Sequence, residues 1–172
     1  MNIRTLHASD APDSRRLRLA GLLETPSAFA SNYQEENDGT IEQVQGHLVG
    51  SSETLMIGGF LECELLGVIG VGRKPRVNER HMAFIRSMYV APQARGQGFG
   101  RRLLSAALAQ VSSWDGAEQV KLSVTATNQA AVHLYQSVGF VAVGRLPRAL
   151  RIGNEYFDGL MMVRSAITPG SD

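Results

Sequence analysis

The sequence predicts an α/β domain spanning residues 1–172, with elements in the order β-α-α-β-β-β-α-β-α-β-β, and three stretches carry that prediction. Phe84 to Val90 is rich in β-formers and runs through Pro92, Gly96, Gly98 and Gly100 into a helix with Leu103, Leu104, Ala107, Leu108 and Val111 on one face. Val120, Leu122, Val124 and Ala126 alternate with Lys121, Ser123 and Thr125, the period of a strand with one face on a core. Leu55–Leu61 and Leu65–Gly72 are apolar runs flanking Glu62-Cys63-Glu64, which reads as a hairpin.

In chain order, Asn2 to His7 is the first strand, and Ser9 or Asp10 caps the helix that follows, with Pro12 in its first turn. Leu17, Leu19, Ala20, Leu22 and Leu23 are its expected buried side, and Pro26 follows its end. Ser27 to Glu36 has no clear period, and a second helix runs from about Thr40 to Leu48. In the hairpin, Gly58-Gly59 weakens the first strand or marks a bulge. Arg73 to Arg80 is a polar loop with Pro75. After the strand at 119–126, Asn128 caps a helix whose stripe is Ala131, Leu134, Tyr135 and Val138, ended by Gly139. Phe140–Gly144 and Ile152–Val163 are the last two strands, with Leu146–Arg151 between them.

Composition narrows the function classes. A net charge of +1 from scattered basic residues lacks the footprint of a nucleic-acid binder. No apolar run reaches signal-peptide or membrane-span length, so a soluble, cytoplasmic protein is expected. Cys63 is the only cysteine, and His7, His47, His81 and His133 are too dispersed to suggest a metal site. No nucleophile elbow of the G-x-S-x-G type occurs.

The turn at Gly96–Gly100 opens a helix, where backbone N–H groups lack partners and the helix dipole adds partial positive charge. Arg101 and Arg102 oppose that dipole, a penalty a bound phosphate would reverse. The plainer alternative is a flexible loop followed by solvated arginines. Two familiar phosphate loops fail: Gly100-Arg101-Arg102 is not Gly-Lys-Ser/Thr, and Gly96-x-Gly98-x-Gly100 is not G-x-G-x-x-G with an acid ending the next strand.

Arg95-Gly96-Gln97-Gly98-Phe99-Gly100 does resemble the acetyl-CoA signature of the GCN5-related N-acetyltransferases, Arg/Gln-x-x-Gly-x-Gly/Ala, at every specified position. Met88-Tyr89-Val90-Ala91-Pro92 stands where that family keeps its fourth strand, and Asn128 to Phe140 matches its second motif. The resemblance implies a mixed, mostly antiparallel sheet of about seven strands flanked by about four helices, with the fourth and fifth strands splayed. It implies acetyl-CoA as acyl donor and an amine acceptor, small molecule or protein, attacking directly in a ternary complex. Many relatives are dimers, but no interface can be read in this chain.

Site roles follow from the same resemblance. The N–H groups from Arg95 through Gly96, Gln97, Gly98, Phe99 and Gly100 to Arg101 would wrap the CoA pyrophosphate, and Met88, Tyr89 and Val90 would bond the pantetheine arm. Asn128 would contact the cofactor arm as well as cap its helix, and Tyr135 would act as general acid to the CoA sulfur, its ring being core in either case. Many relatives carry a glutamate where this chain has Phe84, which leaves Glu35, Glu79, His81 or water as the base. The missing glutamate also motivates a rival reading, a CoA-binding sensor or interaction module without turnover. Arg145, Arg148 and Arg151 are either a solvated basic loop or, through Arg148, a clamp for an anionic group of the acceptor.

Overall fold

A computed structural model describes residues 1–166; residues 167–172 of the expected 1–172 domain lie outside the described residues. The strands are β1 (Asn2–Thr5), β2 (Thr54–Leu61), β3 (Glu64–Arg73), β4 (Met82–Val90), β5 (Gln119–Thr125), β6 (Val141–Ile152) and β7 (Glu155–Ser165). The helices are α1 (Ala11–Glu24), α2 (Tyr33–Asp38), α3 (Ile41–Val49), α4 (Phe99–Ser112) and α5 (Gln129–Gln136). The strands form one sheet in the order β1-β2-β3-β4-β5-β7-β6, in which β4 and β5 are the parallel pair and the other neighbours are antiparallel. No helix among the described residues is long and apolar enough to cross a membrane.

Helices cover both faces at glycines. An added Cβ at Gly59 or Gly67 would stand 2.6 or 2.9 Å from the Phe99 ring, so α4 lies directly on the β2–β3 backbone. On the opposite face Gly21 of α1 touches the Tyr89 ring, with an added Cβ at 2.9 Å. That contact corrects the expected face of α1. Its buried residues are Ala11, Ser14, Leu17, Gly21 and Leu22, whereas Leu23 is 65% exposed, because small residues let the helix approach the sheet. Asp10 occupies the N-cap position without capping: its carboxylate accepts from the His7 N–H at 2.8 Å and from both Arg4 Nη atoms at 2.7 and 2.8 Å.

Two further departures have local causes. α2 begins within the unpatterned stretch and runs two residues past it, set by a reciprocal capping box between Asn32 and Glu35; six residues are too few to show a helical period. Leu146–Arg151 is not a link but the middle of β6. Pro147 is tolerated there because β6 is the sheet edge, and the register shifts between Leu146 and Leu150, with Arg148 at φ +52. The bulge anticipated at Gly58-Gly59 is present as a register shift between Gly59 and Phe60.

Candidate active site

The site starts from a strand that loses its partner. β4 pairs with β5 only through Met82↔Gln119, Ala83↔Val120 and Phe84↔Lys121, so from Ile85 onward its β5-facing edge is unpaired and the sheet splays. On the other edge, Tyr89 faces Val68 and Arg86 faces Gly70, leaving Ser87 and Met88 opposite Ile69 alone. Ser87 takes φ +53 to make this bulge, which re-aims the strand just before its end.

Gly96 and Gly98 then turn the chain at φ +74 and +75, a region only glycine enters without penalty, and Gly98 is the N-cap of α4. The first bonded N–H of the helix is that of Arg102, donating to the Gly98 carbonyl at 3.0 Å. Those of Gly96 to Arg101 have no acceptor among the described residues. The Arg95 N–H already donates to the Pro92 carbonyl at 3.1 Å, so the run of unpaired N–H groups begins at Gly96. An added Cβ at Gly96 or Gly98 would meet nothing within 4 Å, so the space beside these two glycines is open. Orphan amides beside open space at a helix start fit a pyrophosphate.

The Arg95 side chain is committed elsewhere. Nη1 and Nη2 donate to the two Glu24 carboxylate oxygens at 2.8 and 2.7 Å, and Nε donates to the Val90 carbonyl at 2.9 Å. The Tyr89 hydroxyl donates to Glu24 as well, at 2.7 Å. Arg95 first, and Tyr89 second, hold the Glu24 carboxyl below its ordinary range, while burial and then Glu24 push the Tyr89 phenol up to about 12. Glu24 thus ties the end of α1 to both the strand and the loop. Glu24→Gln is expected to lower the melting temperature slightly and weaken acetyl-CoA binding up to about 5-fold, since partly exposed pairs are worth about 0–1 kcal/mol. The same tie should be fully present above pH ~4.3 and lost as pH falls through the lowered Glu24 value, a loss the variant should not show in thermal melts.

Loop, strand and α5 enclose a cleft of about 420 Å3 lined by Met88, Tyr89, Val90, Arg95, Gly96, Gly98, Phe99, Gly100, Arg101, Asn128 and Tyr135. Gln97 alone of the motif stays off it, its amide donating to the Gln93 carbonyl at 3.3 Å. Asn128 caps α5 by accepting from the Ala131 N–H at 3.2 Å. Tyr135 is buried, edge-on to Phe140 at 5.8 Å between centroids, and its hydroxyl donates only to Met88 Sδ at 3.6 Å. Burial pushes this phenol up to about 12, so it remains protonated. Sequence reasoning missed Thr25 on the cleft wall, which carries no motif signal, and read Leu134 as packing alone.

The structure does not bring the base candidates into the cleft. Glu35 serves the α2 capping box, and Glu79 pairs with Lys74 at 2.9 Å. His81 precedes β4, roughly 20 Å along the strand from Met88 at ~3.3 Å per residue. Phe84 is the last β4 residue paired to β5 and supplies no carboxylate. Arg145 pairs with Asp158 at 2.8 Å, and Arg148 and Arg151 lie over the Tyr156 ring at 4.8 and 5.6 Å. None of these arginines lines this cleft.

Comparison with known proteins agrees with this geometry. The family model described as "Acetyltransferase (GNAT) family" matches residues 21–140. A spermidine N(1)-acetyltransferase of Vibrio cholerae is 32% identical over 53% of this chain and 53% of its own length. An L-amino acid N-acyltransferase, MnaT, of Escherichia coli is 37% identical over 36% of each. The chain spans about half or less of the length of these curated relatives. Among solved structures, yncA of Salmonella typhimurium, determined with acetyl-CoA, superposes with a TM-score of 0.82 at 18% identity, covering 100% of this chain and 97% of that one. That last likeness is one of fold. The family match takes in the splayed strand, the glycine turn and the Asn128–Phe140 motif, and the chain belongs to the acetyltransferase (GNAT) family.

Proposed function

We propose that this protein is an N-acetyltransferase that moves acetyl from acetyl-CoA to an amine by direct attack in a ternary complex. The observation that carries the reading is the unpaired β4 edge and the orphan amides of Gly96 to Arg101 opening into one cleft that also holds the Tyr135 hydroxyl. Acetyl-CoA supplies an activated thioester: the amine nitrogen bonds to the acyl carbon, the carbon–sulfur bond breaks, and the proton lost by nitrogen ends on the thiol.

The protein's part is to hold and to orient. The Gly96–Arg101 amides take the pyrophosphate, and the free edge at Met88–Val90 offers backbone groups to the pantetheine amides. The same edge supplies a donor for the thioester oxygen, where one well-placed hydrogen bond is worth about 3 kcal/mol. Tyr135 points its hydroxyl at Met88 Sδ and donates to the departing sulfur. A phenol held near 12 keeps its proton far more tightly than a thiol of pKa ~8.5, so it acts as a hydrogen-bond donor and shares, without surrendering, the proton that stabilises the leaving group.

A second reading, a CoA-binding module without turnover, draws on a specific observation: no carboxylate or imidazole is among the cleft-lining residues. Calorimetric titration with acetyl-CoA, followed by thiol release over a panel of amines, tests both. Micromolar acetyl-CoA binding with amine-dependent thiol release is expected. Binding without release for any amine would favour the sensor, and no binding would sink both.

A further inference from the structure

A second cavity of about 250 Å3 lies on the α1 side of the sheet, and the Tyr89 ring borders both it and the first cleft. Its floor is Met56, Val68 and the bulged Arg86-Ser87 of β4, and its walls come from α1, α3 and the residues around α2. The charges on that wall are unbalanced. Arg15, Arg18 and Arg86 line it against one carboxylate, Glu36, and Glu36 is already paired with Arg18 at 3.2 Å.

Two of these arginines also hold donors that nothing satisfies. Arg15 donates from Nη2 to the Asn37 carbonyl at 2.7 Å, yet its Nε is buried without a partner. Arg18 is fixed over the Phe29 ring at 4.5 Å, donates from Nη2 to Ser31 and Glu36, and leaves a buried Nη1 unpaired. Arg86 is exposed, and its side chain has no hydrogen-bond or ion-pair partner among the described residues. Buried donors are paired in nearly all native proteins, and two of the three unpaired ones among the described residues belong to arginines of this cavity, the third being Nε of Arg73. Guanidinium groups take carboxylates in bidentate fashion.

We propose, resting on the acetyltransferase reading above, that this cavity is the acceptor pocket and that it takes an amine bearing a carboxylate, a free amino acid, and not a polyamine. The carboxylate sits among Arg15, Arg18 and Arg86, and the amine points past Ser87 and Tyr89 toward the first cleft. The volume is below the ~300–1,000 Å3 of pockets for drug-sized ligands, which suits a single amino acid. A polycation would meet three arginines. The anion clamp is therefore not on β6, where Arg145, Arg148 and Arg151 line neither cavity.

The test compares kcat/KM for common L-amino acids, their carboxamides and spermidine, in wild type and Arg86→Gln, with acetyl-CoA affinity measured alongside. The carboxamide keeps the amine and side chain and loses only the negative charge. Its amine is the less basic, so more of it is neutral at pH 7, and intrinsic availability favours the carboxamide. Even so, at least one amino acid should exceed its carboxamide by 10-fold or more, with spermidine poorer still. Arg86→Gln should cut that ratio at least 10-fold, mainly through KM, with the acetyl-CoA Kd within about twofold of wild type. Arg15→Gln should act in the same direction. Acetyl-CoA binding combined with equal or better turnover of carboxamides or spermidine would overturn the pocket and leave the acetyltransferase reading standing. Should acetyl-CoA bind and no amine turn over, calorimetric titration with the same amino acids and carboxamides still decides it, and equal affinity for the two forms overturns it. Failure to bind acetyl-CoA would overturn the acetyltransferase reading itself, and the acceptor role with it.

Discussion

Replacing Tyr135 with phenylalanine is expected to lower kcat about 100-fold while leaving the acetyl-CoA Kd within about twofold. The substitution keeps the ring against Phe140 and removes only the hydroxyl, whose one partner, a thioether sulfur at 3.6 Å, is a weak acceptor. Little stability is lost with so weak a bond, so an effect on turnover would report the departing sulfur and not the fold. Because burial pushes the phenol up to about 12, wild-type kcat should show no alkaline decline from this group below pH ~10. The stability contributed by keeping it neutral is fully present below pH ~10, the unfolded value, and is lost as pH rises through about 12. An unchanged kcat in a folded variant, in a regime where single-turnover kinetics show chemistry to be limiting, would leave Tyr135 a packing residue.

Gly98→Leu is expected to weaken acetyl-CoA binding by about 10²-fold with the fold retained. Two effects act together. At φ +75 any L-residue costs about 1–2 kcal/mol, which pulls the α4 N-cap out of position. The new side chain also enters the open space beside the turn, where the pyrophosphate is proposed to stand. Gly116→Leu is the control that separates strain from occupancy: Gly116 has φ +68 and equally open surroundings, but lies in the turn between α4 and β5. Its variant should lose similar stability and bind acetyl-CoA normally. If calorimetry found the two variants equal in affinity, the cradle assignment would be wrong.

Much of the fold was legible because its signals are local. The period change after Gly100, the alternation at 119–126 and the Asn128 cap each depend on residues within a few positions of one another, and all three elements stand within a residue or two of where they were expected. What was misread depended on surroundings. Leu146–Arg151 looked like a loop because an edge strand exposed on both faces needs no apolar alternation and tolerates proline. The buried side of α1 was only partly legible: Leu17 and Leu22 are buried as expected, but Gly21 meets the Tyr89 ring for its small size, which no hydrophobic count registers.

The sequence by itself determined where the glycine turn lies, which glycines make it, and that Asn128 caps the short helix that carries Tyr135. These are properties of neighbours in the chain, governed by backbone sterics and helical period. Only the tertiary structure decided what the Arg95 side chain does, since its carboxylate partner Glu24 is 71 residues away. It likewise decided that Glu79 and His81 stand at the far end of β4, and that Arg15, Arg18 and Arg86 share a cavity that the carboxylate of Glu36 does not neutralise. Charge complementarity between distant segments leaves no periodic trace in a sequence; it exists only once α1 is laid across the bulge of β4.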